Sequence, residues 1–63
     1  MSNYKINIVK HYYDKSRFEF LHGMDNRIST KKFFNHFHEF CLIADEKEVI
    51  ELKKYMEQKS KIS

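Results

Sequence analysis

Proline is missing from this 63-residue sequence, and glycine and cysteine occur once each, as Gly23 and Cys41. A single cysteine excludes a disulfide within the chain, and it fits a reducing, intracellular setting better than a secreted one. The longest apolar run, Phe40 to Ala44, is far too short to span a bilayer. The N-terminus has no apolar core and no small-residue cleavage site, so no signal peptide is expected and the chain is read as cytoplasmic. No glycine-rich phosphate loop and no nucleophile elbow occurs. No repeat, low-complexity tract or linker divides the chain, so residues 1–63 are read as one small domain, with 59–63 as a frayed polar tail.

Bulky aromatic residues are what the chain does have. Six Phe and four Tyr bury more area per residue than aliphatics do. That matters because a chain of this size buries only about 60% of its unfolded surface and usually needs a disulfide, a metal or self-association to hold its fold. The net charge is +3, concentrated in the first two-thirds of the chain. Residues 45–63 carry five basic and five acidic side chains. So mild an excess does not by itself point to an anionic partner.

Local patterning predicts an α+β domain. Tyr4-Lys5-Ile6-Asn7-Ile8 and Arg17-Phe18-Glu19-Phe20-Leu21-His22 alternate apolar and polar, the period of a half-buried strand. Asp14-Lys15-Ser16 lies between them as a turn candidate. The result is a β-hairpin burying Ile6, Ile8, Phe18 and Phe20. Gly23-Met24-Asp25-Asn26 is the strongest turn cluster. Arg27 to Thr30 is either a short third strand or a loop into a helix capped by Ser29 or Thr30.

From Thr30 the helical period takes over. Phe33, Phe34, Phe37, Phe40, Cys41 and Ala44 fall within about 120° of arc at 100° per residue, a core-facing stripe. Asp45 reads as a second N-cap with Glu48 completing a capping box. Val49, Leu52, Tyr55 and Met56 form the apolar face of the last helix. The arrangement is ββαα. If Phe40-Cys41-Leu42-Ile43 is instead a short buried strand, it is ββαβα.

Four chemistries are open to these residues. His36, His38 and Cys41 are metal-ligand types, but on a helix the two histidines point about 200° apart, while zinc needs convergent ligands. No metal and no cofactor is expected, and Cys41 reads as a small buried hydrophobe. A Cys41–His38 nucleophile pair would sit in a Phe-lined stripe that disfavours the thiolate. A chain this small also has little room for a substrate pocket, so the protein is read as a non-enzyme. A basic, Tyr-containing hairpin tip suggests a nucleic-acid-binding regulator using Lys10, Lys15, Arg17, Lys31 and Lys32.

The leading expectation is a protein partner, met by Tyr12, Tyr13, Arg17, Leu21 and Ile50, apolar or amphipathic side chains with no evident place in a one-sided core. That partner is read as a larger host protein or nucleoprotein; a homo-oligomer is also open, and a membrane is not expected. The Lys, Asn, Ile, Tyr and Phe bias resembles that of small reading frames of AT-rich phages and mobile elements. This resemblance of composition implies an inhibitor of a host enzyme or defence system, such as an anti-CRISPR protein.

Overall fold

The computed structural model of the chain describes residues 3–62, and all of its regular structure is helical: α1 (Asn3–Leu21), α2 (Arg27–Ile43) and α3 (Glu46–Ile62). The expected α+β architecture is thereby overturned, in both its ββαα and ββαβα forms. The residues assigned to a hairpin form one 19-residue helix. Arg27 to Thr30 opens α2, and Phe40 to Ile43 closes it. Among the described residues there is no strand.

The physical reason lies in α1. No Gly or Pro interrupts it, so its backbone can satisfy every interior hydrogen bond locally, whereas a lone two-stranded hairpin is marginal in water. Beneath the alternation runs a helical line of Ile6, Val9, Tyr13, Ser16 and Phe20. Ile6 is 2% exposed and Val9 fully buried, while Phe18 and Phe20, expected inside, are 54% and 72% exposed. Ile8 is half-buried.

The helix ends follow local chemistry. Gly23, at φ +70°, closes α1: its N–H donates to Phe20 O at 3.2 Å and the Met24 N–H to Glu19 O at 2.7 Å, the paired bonds of a Schellman motif. Asn26 occupies the N-cap of α2 without a side-chain cap bond; its amide donates to Ser16 instead. The Asp25 carboxylate accepts the Arg27 N–H at 3.0 Å and holds the Arg27 guanidinium. Neither Ser29 nor Thr30 is the cap. Both lie inside α2, where Ser29 is buried and donates to Glu19 at 2.7 Å. The capping box of α3 forms as the sequence predicts: Glu48 N–H donates to Asp45 Oδ1 at 2.9 Å and Asp45 N–H to Glu48 Oε1 at 3.2 Å. Glu46 and Glu48 in the first turn and Lys59 and Lys61 in the last complement the helix dipole.

The chain runs up, down and up. Lys5 pairs with Glu39 at 2.6 Å and Ser16 bonds Thr30 at 2.8 Å, an antiparallel register between α1 and α2. Lys10 pairs with Glu51 at 3.0 Å and Arg17 donates to Lys59 O at 3.1 Å, so α3 lies parallel to α1. The core is Ile6, Val9, Phe40 and Leu52, with Phe33, Phe37, Ala44 and Met56 packed against it. α1 is the hub. It packs extensively on α2 and more lightly on α3, while α2 and α3 meet only weakly. The molecule is accordingly broad and thin, 35 × 24 × 14 Å. α3 continues to Ile62; Ser63, the end of the expected tail, lies outside the described residues.

Candidate interaction surfaces

Of the five side chains expected to meet a partner, three are engaged inside the bundle. Tyr12 is half-buried and stacks nearly parallel on His36, centroids 5.3 Å apart and planes 3° apart. Tyr13 is half-buried, and its hydroxyl donates to Met56 O at 3.3 Å. Arg17 bonds the end of α3 and lies 5.9 Å from the Tyr13 ring. Only Leu21 and Ile50 are open, at 57% and 45% exposure. The parallel register of α1 and α3 sets them near opposite ends of the bundle, so the five do not form one surface.

The basic set is divided too. Lys10 is tied to Glu51 and sits 4.9 Å from the Tyr55 ring, and Arg17 is spent as above. Lys15, Lys31 and Lys32 are exposed, but Lys31 and Lys32 are 100° apart on α2. Lys15 and Lys32 do share a side with the outer α1–α2 groove, an open hollow of about 390 Å³ lined by Asn7, Ile8, His11, Tyr12 and His36. There Lys32 Nζ lies 5.9 Å from the Tyr12 ring and His11 meets it edge-on at 5.0 Å. Lys5 donates to Glu39 and, at 3.3 Å, to His36 Nδ1. That bond holds the Glu39 carboxyl below the usual carboxylate range.

His36, His38 and Cys41 do not converge, and among the described residues no three His, Cys, Asp or Glu side chains gather as a metal site. Cys41, expected to be buried, is exposed. It lies on the Phe stripe, but on the flank of α2 that α3 leaves open.

Two surfaces were missed in the sequence. At the end of the bundle where α1 turns into α2, Phe18, Phe20, Leu21, Met24 and Ile28 are all more than half exposed. His22 stacks on Phe18 with centroids 4.1 Å apart. On the side away from α1, the weak meeting of α2 and α3 leaves a groove of about 210 Å³ lined by Phe37, Phe40 and Cys41 and by Val49, Leu52 and Met56. Drawn as a helix, α1 would have betrayed Phe18, which falls opposite Val9, but not Phe20, which lies on the Val9 line and is open only because it stands at the bundle end. The second depends on helix packing, which no local pattern encodes.

No helix among the described residues is long and apolar enough to cross a membrane. Compared with family models, with curated proteins and with solved structures, the chain matches none.

Proposed function

We propose that this chain is a non-enzymatic binding protein that docks on a larger protein or nucleoprotein through the apolar end of its bundle. The observation that carries the reading is the exposure of Phe18, Phe20, Leu21, Met24 and Ile28, each more than half open in the eleven-residue stretch where α1 turns into α2, with Phe18 and Phe20 on opposite flanks of α1. Single exposed apolar side chains are ordinary, but five in one turn region of so small a body favour an interaction site there. Aromatic residues and Met are also the types enriched at interfaces. Leu21 is the one member that the sequence also assigns to a partner. The exposed thiol of Cys41 supports a reducing compartment, and we place its action in the cytoplasm. Inhibition of a host enzyme or defence system is the form of modulation that the composition favours.

The test is affinity capture with the wild-type chain against a Leu21→Asp/Met24→Asp double variant whose helicity is checked by circular dichroism. A protein retained by the first and lost by the second supports the assignment. An identical captured set from both would end it.

A second reading has its own observation. The outer α1–α2 groove holds Tyr12, His11 and His36, with Lys32 Nζ 5.9 Å from the Tyr12 ring and Lys15 one turn beyond His11 along α1, an aromatic and basic side suited to unpaired bases and phosphates. Its test is anisotropy of labelled single-stranded DNA, RNA and duplex at two salt concentrations. Removing Lys15 or Lys32 should each lower the slope of log K against log salt by about one unit. No binding at low salt excludes it.

A further inference from the structure

We propose that the α2–α3 side is a self-association surface, and that a second copy of this chain closes the groove by two-fold pairing. The proposal concerns a different face from the docking end.

The first argument is area. A compact monomer of 7.8 kDa exposes about 4,400 Å² by the usual scaling with mass, and this chain exposes 4925 Å². The excess has a visible source, because among the described residues only Ile6, Val9, Phe40 and Leu52 are buried apolar side chains. Phe33, Phe37 and Met56, which pack on them, stay partly open. The broad side measures 35 × 24 Å, an outline of at most about 840 Å². A pairing over most of it reaches the lower end of standard interfaces, about 600 Å² per partner.

The second argument is charge. Lys53 lines the groove, and Glu57 lies one turn further along the same flank of α3. Both are exposed, and neither makes an ion pair among the described residues. When two α3 helices run antiparallel about an axis near residue 55, Lys53 of each copy faces Glu57 of the other. A two-fold axis requires a surface complementary to itself, and opposite charges four residues apart meet that requirement. An unrelated partner has no reason to match this spacing.

Sedimentation equilibrium of the full chain, from about 5 to about 500 μM to cover the weak end of such interfaces, tests the idea. The expected result is a concentration-dependent rise from 7.8 kDa toward twice that mass, with a melting temperature that rises with concentration. Val49→Lys, on a side chain 43% exposed, should weaken pairing by at least about tenfold, while Ile50→Lys on the outer side should leave it intact. Lys53→Glu or Glu57→Lys alone should weaken pairing, and the two together should restore it. These last changes touch only surface charge, so they keep the fold. A constant monomer mass at every concentration overturns the proposal. So does a dimer indifferent to both Val49→Lys and the charge reversals, which would pair through another face.

Discussion

The hydroxyl of Tyr55 donates to the carboxylate of Asp14, and this bond is the middle rung of the ladder that fixes α3 to α1. Below it stands the Lys10–Glu51 pair and above it the Arg17 bond to Lys59 O. Lys59 Nζ lies 4.0 Å from the same Asp14 carboxylate and 5.4 Å from the Tyr55 ring. Ile6 and Val9 meet Leu52 and Met56 in the core between these helices, and the polar rungs fix their register.

That rung gives the fold an alkaline limit. Partial burial, then the bond to Asp14 and its negative charge, push the Tyr55 phenol from 10.0 up to about 12. A proton held more tightly in the folded state stabilises it below the unfolded value, and the contribution is lost as pH rises through the folded one. Stability should therefore decline between about pH 10 and pH 12. In an absorbance titration of the phenolate band, Tyr55→Phe should remove a step near pH 12. A curve whose high-pH end is the same in the wild type and in Tyr55→Phe would show that the Asp14 bond is not formed.

Gly23 closes α1 with a positive φ of +70°, and a Cβ built there meets nothing within 4 Å. The cost of a side chain at this position is therefore backbone strain alone, about 1 kcal/mol. Gly23→Ala should lower the melting temperature by about 4–8 °C, and Gly23→Asn by less, because Asn tolerates this conformation. An Ala variant as stable as the wild type would mean that the Schellman bonds are not maintained in solution.

The second half of the chain was legible because its signals agree. The Asp45–Glu48 box, the face of Val49, Leu52, Tyr55 and Met56, and the Phe40-centred stripe all share the helical period. In α1 the signals conflict. Tyr4 to Ile8 and Arg17 to His22 alternate over windows too short to separate period 2 from period 3.6. Apolar residues such as Ile8, Phe18 and Leu21 lie off the Ile6–Val9–Tyr13 line and obscure it. The missing glycine and proline between Asn3 and His22 were the better guide, since a hairpin needs a turn that Asp14-Lys15-Ser16 supplies only weakly. The candidate surfaces were drawn on that same hairpin: its tip would have gathered Tyr12, Tyr13 and Arg17 in solvent, whereas a helix turns Tyr13 and Arg17 onto α3 and Tyr12 onto His36.

The capping box permits a test of how independently α3 forms. Asp45 and Glu48 satisfy each other's backbone N–H groups in the short connection between α2 and α3, two helices that pack only lightly on each other. Asp45→Ala should cost about 1 kcal/mol, while Asp45→Ser should keep most of the stability by restoring an oxygen acceptor. Thermal melts of the two variants check this. Equal loss in both would mean that the Asp45 charge at the helix N-terminus, and not its hydrogen bond, is what matters.

Phe40 and Phe20 separate the helical architecture from the discarded hairpin most sharply. Phe40 is 1% exposed at the meeting of all three helices, and Phe20 is 72% exposed at the bundle end. Removing a buried phenyl ring costs about 3–5 kcal/mol, and a chain of this length holds only about 3–9 kcal/mol of net stability. Phe40→Ala should thus largely unfold the protein at room temperature, and Phe40→Leu should leave it folded with a lower melting temperature. Phe20→Ala should change stability by less than about 0.5 kcal/mol, as for an ordinary surface site. In a hairpin packed on a helix, Phe20 would be a core residue and its truncation as damaging as that of Phe40. A pair of urea denaturation curves decides the matter: a large loss at Phe20 would put the first helix in the wrong place, and a large loss confined to Phe40 would fix the centre of the bundle where Ile6, Val9 and Leu52 meet it.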